Sequence, residues 1–333
     1  MIQSLSIHRF VFPDFGAEVL LSGVPSELAL LVSEQLGCDH DVVAADGVLS
    51  PGGCVHVTKA SDPQRIGRVR QIADEHEIHV EETDAGLLVY TVSGCLELPS
   101  SGSGGRIELV DREDGFLLVP LEIGIIHQLV QQGIVVFHAA FVELRGVSIL
   151  LVGASGTGKT TATLAALAAQ GSMVSDDSVM LAKKDGAFLV GAFRSDLTIR
   201  EASLPLLSGA WRSALLPFVT SAEHKWRLRR QELSGLYRSS GVPDYVLLLG
   251  ALTESEESKL APLSHSQAFA ALAAQTSPVY LTSKRVERSL TMPMLVDFVA
   301  TVPSFSVRFG RRLLEDPQAE YASLIEQMGA VPT

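Results

Sequence analysis

Val147-Ser-Ile-Leu-Leu-Val152-Gly153-Ala-Ser-Gly-Thr-Gly158-Lys159-Thr160 is the most informative segment of this 333-residue chain. Its first six residues are apolar except Ser148, and a short apolar run bounded by glycine suits a buried strand. Residues 159–170, Lys-Thr-Thr-Ala-Thr-Leu-Ala-Ala-Leu-Ala-Ala-Gln, favour a helix, and Gly171 is expected to cap its C-terminus. Between strand and helix lies the spacing GxxxxGK[ST] of a phosphate-cradling loop. Gly153, Gly156 and Gly158 permit turns that aim successive N–H groups at one point. The backbone of Ala154, Ser155, Thr157 and Thr161 completes the cradle, and the helix adds the positive end of its dipole. Lys159 offers a compact charge to β- and γ-phosphates, and Thr160 offers a hydroxyl to Mg²⁺. ATP and Mg²⁺ are the cofactors this pattern predicts.

Downstream, Met173–Ser175 reads as the next strand and ends on Asp176 and Asp177, which follow Lys159 by 17 and 18 positions. A helix of about 11 residues runs ~17 Å back along a sheet. The chain then turns into a parallel strand, whose carboxyl end lies beside the phosphate loop. One carboxylate there can hold Mg²⁺ while its neighbour accepts the proton of an attacking hydroxyl. Away from such a loop, the same dipeptide would be read as a surface turn. Upstream, Ile134–Phe137 and Phe141–Leu144 read as strands flanking His138. Alone, a histidine among apolar strand residues is usually a core residue.

Taken together, His138-Ala-Ala-Phe-Val-Glu143, Val152 through Thr160, and Val174-Ser-Asp-Asp177 resemble the C-terminal catalytic domain of HPr kinase/phosphorylase in order and spacing. The resemblance covers about residues 133–185 and continues more loosely to about 310. It implies one site in which ATP and Mg²⁺ phosphorylate a protein serine, with His138 near the transferring group. It also implies Asp176 as the base and Asp177, with Thr160, as the metal contact, the division between the two aspartates being left open. The family's second signature, Glu-(Ile/Val)-Arg-Gly, is matched here by Thr198-Ile-Arg200-Glu201, which keeps the arginine and lacks the acidic metal contact. The looser HPr-kinase-related group, including lasso-peptide kinases that phosphorylate a peptide hydroxyl, is the more similar in layout.

Residues 194–238 hold Arg194, Arg200, Arg212, Lys225, Arg227, Arg229, Arg230 and Arg238 against four acidic residues. Forked arginines can stabilise charge spreading over γ-phosphate oxygens. Arg194 and Arg200, just beyond the aspartates, are the catalytic candidates. Lys225–Arg230 reads equally as a solvated helix face.

The rest of the chain is organised differently. Residues 1–115 hold 7 Lys and Arg against 19 Asp and Glu, whereas 116–333 are balanced at 19 of each. An acidic surface disfavours nucleic acid. Phe10–Phe12, Glu18–Leu21, Leu87–Tyr90 and Leu96–Leu98 read as strands, and Ser26–Leu36 as a helix. Pro99–Gly105 reads as a loop or linker, Arg106–Val110 and Phe116–Pro120 as a hairpin around Asp114–Gly115, and Leu121–Gln132 as a helix. Pro293–Val299 and Asp316–Met328 read as later helices.

The fold expected is α/β, with an HPr-kinase-like phosphate-loop domain over 116–333. A smaller, acidic, mixed α+β domain over 1–115 precedes it, suited to binding a substrate or partner. No apolar run reaches the ~18 residues of a membrane helix, and neither a signal peptide nor a zinc cluster is seen. Cys38, Cys54 and Cys95 fit reduced thiols and a cytoplasmic location. The function expected is transfer of the γ-phosphoryl group to a hydroxyl of a peptide or protein. A small-molecule kinase and a non-catalytic nucleotide-binding module are the alternatives, and the sequence is compatible with a homo-oligomer.

Overall fold

Ile7–Phe12 alternates half-buried and buried residues, the two-residue period of a strand with one face on a core. The computed structural model describes residues 6–43, 54–75, 78–99, 104–110, 118–200, 216–219, 224–233, 235–250, 253, 255–276 and 287–330. The chain divides into two compact units, Met1–Val135 with Ser277–Pro293, and Val136–Thr276 with Met294–Thr333.

In the first unit, the strands are β1 (Ile7–Phe12), β2 (Ala17–Ser22), β3 (Asp39–Val43), β4 (Val55–Lys59), β5 (His79–Glu82), β6 (Gly86–Thr91), β7 (Gly94–Pro99) and β8 (Gly105–Leu109). They form one sheet in the order β3-β1-β2-β4-β8-β7-β6-β5. Its helices are α1 (Ser26–Leu36), α2 (Pro63–Glu75) and α3 (Leu118–Gln131). The sequence pattern missed α2, whose polar face outweighs the thin apolar stripe of Ile66, Val69 and Ile72.

Two expectations about this region change. Leu118–Pro120 is the first turn of α3 and no strand, because Pro120 sits in the one turn where a missing N–H costs nothing. The Asp114–Gly115 turn lies outside the described residues. The chain also divides at 135/136 and not at 115/116. Helix α3 belongs to the first unit because the Gln128 side chain completes the β2 ladder, accepting from Leu20 N at 3.1 Å and donating to Leu20 O at 3.0 Å. β7 and β8, on either side of the stretch read as a loop or linker, are antiparallel neighbours in one sheet, and residues 100–103 lie outside the described residues.

The second unit contains β9 (Val135–Phe137), β10 (Ala139–Leu144), β11 (Val147–Val152), β12 (Ser172–Ser175), β13 (Val179–Lys184), β14 (Ala187–Ala192), β15 (Leu197–Arg200), β16 (Leu216–Val219), β17 (His224–Leu228), β18 (Ser240–Gly241), β19 (Tyr245–Leu249), β20 (Lys259–Pro262) and β21 (Ser304–Arg308). Six of these form the main sheet, β12-β10-β11-β19-β21-β20, in which β11, β19 and β21 are parallel. Two smaller sheets have the orders β18-β14-β13-β9 and β15-β17-β16. The helices are α4 (Lys159–Ala168), α5 (His265–Ala273), α6 (Glu287–Thr301), of which the residues from Met294 onward belong to this unit, α7 (Arg312–Glu315) and α8 (Pro317–Gly329). Lys225–Leu228 belongs to strand β17, so the helical face read there is replaced by a ladder. Ile149, Leu151, Ala162, Ala165, Leu247, Phe305 and Tyr321 share one buried core, and Tyr321 donates its hydroxyl to Ala162 O at 2.8 Å. Among the described residues no helix is long and apolar enough to cross a membrane.

Helix α4 ends differently from the simple glycine cap. Gln170 takes the left-handed position with φ 66°. Gln170 N donates to Leu167 O and Gly171 N to Ala166 O, at 3.1 and 2.9 Å, the double bond of a Schellman ending. Gly171 is required for a different reason. A Cβ there would lie 2.4 Å from Leu144 Cδ1, 2.7 Å from Glu143 O and 2.8 Å from Ala166 O. Backbone atoms cannot yield cheaply, so Gly171→Ala is expected to cost about 1–3 kcal/mol. Urea unfolding checks this, and an unchanged midpoint would show that the turn has room.

Candidate active site

Strands β11 and β12 are each antiparallel to β10, which lies between them. The expected parallel relation of β11 and β12 therefore holds, with one strand interposed. Because β10 runs the other way, its beginning lies at the sheet edge where its neighbours end, as the pairs Ala139↔Val152 and Phe141↔Ser175 record. His138 precedes Ala139, Gly153 follows Val152, and Asp176 follows Ser175. Three segments far apart in sequence thus emerge at one edge.

The loop after β11 has the conformation its glycines predict. Gly156 and Gly158 take φ 84° and 99°, where a side chain is strained. A Cβ on Gly153 would meet Thr157 Oγ1 at 2.5 Å. Ala154, Ser155 and Gly156 are exposed, Thr157, Gly158, Thr160 and Thr161 are half-buried, and Lys159 is buried. Thr157 Oγ1 donates to Ala154 O at 2.8 Å, closing the turn. Lys159 Nζ donates to Gly153 O at 2.6 Å and Ala154 O at 3.1 Å, so the ammonium lies against the loop's own carbonyls. Burial lowers its pKa, and the charges of Asp177 and Asp176 oppose that shift.

The two aspartates occupy contrasting surroundings. Asp176 is 2% exposed, and Thr160 Oγ1 donates to its Oδ2 at 3.2 Å. Burial, followed by the neighbouring Asp177 charge, holds its carboxyl well above the usual carboxylate range. Its Oδ1 is buried and has no partner among the described residues. Asp177 is about a third exposed. His138 Nδ1 lies 3.2 Å from its Oδ1 and Arg194 Nη1 3.4 Å from its Oδ2. Burial works against its charge, but the His138 hydrogen bond and the charges of Arg194, His138 and Lys159 prevail and bring its pKa to about 2.

His138, Thr160, Asp176, Asp177 and Arg194 are thus linked through these contacts, and the Lys159 charge acts on Asp177 without a direct bond. Arg200 ends β15, two residues after Thr198, and its side chain lies outside the described residues, as do Glu201 and Arg212. Three of the remaining basic residues downstream have local partners. Arg227 pairs with Asp196, Arg230 stacks on the Tyr237 ring, and Arg238 pairs with Glu143. Sequence reasoning missed two supports of the site: the Ser175 hydroxyl, and Gln275 O, which accepts from His138 N at 2.9 Å. Neither has a motif of its own, since one acts through a backbone atom and Ser175 is one residue in a strand.

Among the described residues no cluster of three His, Cys, Asp or Glu side chains is arranged to hold a metal. Mg²⁺ does not require one, because it takes one or two carboxylates together with water and phosphate oxygens. A buried carboxylate oxygen without a partner, on a residue touching the Thr160 hydroxyl, fits such an ion.

The second unit therefore presents a glycine-rich strand–loop–helix turn with an acidic pair beside it, in a mixed α/β chain with several sheets. No protein-family model and no curated protein matches the chain. Among solved structures it is similar to the Hpr(Ser) kinase/phosphatase from Coxiella burnetii, at 9% sequence identity and a TM-score of 0.30, over 59% of this chain and 99% of that one. At that score the superposition is loose, and the functional assignment rests on the chain's own residues.

The Asp177 contacts predict a pH dependence. Its folded pKa lies below the unfolded value of ~3.9, so its contribution to stability is full above that value and is lost as pH falls through about 2. The stability difference between wild type and Asp177→Asn should shrink as pH falls below about 4. Thermal unfolding at falling pH measures it, and a constant difference down to about pH 2 would show that the pairs do not hold the charge.

Proposed function

We propose that this chain is an ATP-dependent kinase that transfers the γ-phosphoryl group to a hydroxyl, such as that of serine, on a peptide or protein. The observation that carries this reading is the 3.2 Å contact from Thr160 Oγ1 to Asp176 Oδ2, with Asp177 the next residue in the chain. A loop that only gripped nucleotide would need no second, partly exposed carboxylate held by a histidine and an arginine.

Each residue takes a role its surroundings support. The loop amides and Lys159 bind the phosphates, with Lys159 exchanging the Gly153 and Ala154 carbonyls for phosphate oxygens. Thr160 and Asp176 would hold Mg²⁺, which would neutralise charge on the phosphate oxygens when bound. Asp177 is open to an incoming hydroxyl, whereas Asp176 is sealed against Thr160. This favours Asp177 as the proton acceptor and reverses the division suggested by resemblance. The bond from the γ-phosphorus to the ADP oxygen breaks, the bond to the acceptor oxygen forms, and the acceptor's proton passes to the Asp177 carboxylate. A carboxylate with a pKa of about 2 is a weak base, suited to a loose transition state in which that proton leaves late. Arg194 and His138 lie where they can meet charge on the transferring group.

The test is incubation of the protein with labelled ATP, Mg²⁺ and serine-containing peptides, read by mass spectrometry as a gain of one phosphate. Asp176→Asn should abolish the gain, and Asp177→Asn should lower kcat by roughly 10²–10⁴-fold. His138→Ala should lower kcat more than it raises KM, and Lys159→Ala should remove most nucleotide affinity. Tight ATP binding with no transfer, indifferent to loss of either aspartate, would mark a nucleotide-binding module instead.

A further inference from the structure

We propose that Ser175 is a positioning residue, whose buried hydroxyl sets the spacing between Asp177 and Arg194. Its consequence for turnover rests on the kinase reading, whereas its geometry does not. Ser175 ends β12 and is 0% exposed, so it touches neither substrate nor solvent. Four backbone atoms surround its Oγ. The Arg194 and Ser178 carbonyls lie at 2.8 and 2.9 Å, and the Ser178 and Asp177 amides at 3.2 and 3.4 Å. The single proton faces the two carbonyls, while the lone pairs accept from the two amides.

These bonds join two sheets. β12 belongs to the six-stranded sheet, whereas Phe193 and Arg194 directly follow β14 of the four-stranded one. Ser178 O reinforces the junction by accepting from Phe193 N at 3.0 Å and Arg194 N at 3.2 Å. On one side of this knot stands Asp177, and on the other the Arg194 backbone. Their side chains meet at 3.4 Å, near the outer limit of a hydrogen bond. Sliding the β14 end by a fraction of an ångström would break that pair. An alanine at 175 would leave the strand intact and remove the hydroxyl that fixes the spacing.

Crystal structures of wild type and Ser175→Ala, with hydrolysis of MgATP as the kinetic probe and water standing for the acceptor, test this. In the variant, Arg194 Nη1 should withdraw from Asp177 Oδ2 to beyond about 4 Å. Hydrolysis kcat should fall ~10–100-fold while KM for ATP stays within about twofold, because the phosphate loop is untouched. In an Arg194→Ala background the same substitution should cost no more than about twofold further, since it acts through that arginine. An unmoved Arg194, or losses that multiply in the double variant, would overturn the proposal. Wild-type protein that neither hydrolyses ATP nor phosphorylates any peptide would remove the kinase reading, and the Arg194–Asp177 distance in the variant would still decide the role of Ser175. Should the alanine variant not fold, Ser175→Cys retains only a weak donor. It should show the same displaced arginine with a smaller fall in kcat, and full turnover with Arg194 in place would overturn the idea.

Discussion

The second unit depends on one topological constraint, the antiparallel strand β10 between the parallel pair β11 and β12. A reversed strand begins where its neighbours end. Ladder pairing on both sides of β10, with one register shift at Phe141/Val142 on the β12 side, therefore fixes where His138, the loop after Val152 and the doublet after Ser175 emerge. Helix α4 sets the remaining distance, since its first turn carries Thr160 to the Asp176 carboxylate. Its last turn lies close enough to β10 that Gly171 has no space for a side chain. The core of Ile149, Leu151, Ala162 and Ala165 holds this arrangement in place.

From that edge, two consecutive residues of identical chemistry acquire different characters. Asp176 is enclosed beside another carboxylate, and burial with that neighbouring charge disfavours its ionisation against the opposing help of the Thr160 hydroxyl. Asp177 meets a histidine and an arginine at a half-open surface, which favours its charge. Separating the proton affinities of paired carboxylates by environment is a general way to give them distinct tasks.

Much of this arrangement was legible in the sequence, for identifiable reasons. Val147–Val152 and Lys159–Ala168 were clear because their apolar runs and helix formers agree with the glycine spacing between them. The nearness of Asp176 to the loop followed from the length of α4 alone. The interposed β10 was not legible, since alternation along a strand does not name its neighbours. Nor was the assignment of α3 to the first unit, which depends on Gln128 reaching the Leu20 backbone 108 residues earlier. Electrostatic contrast between adjacent aspartates was equally hidden, because it arises from the burial of Asp176 and from Arg194 and His138 beside Asp177, none of which a local pattern names. The partners of Arg227, Arg230 and Arg238 in the basic island were hidden for the same reason, since no local pattern reveals them.

The posture of Lys159 has an entropic consequence. A free lysine side chain explores many rotamers, and fixing one costs up to about 2 kcal/mol. Here the ammonium is already moored to two carbonyls before any ligand arrives, so that ordering belongs to folding. An incoming anion exchanges one set of oxygen partners for another on a side chain already in place, which leaves more of the contact energy for affinity.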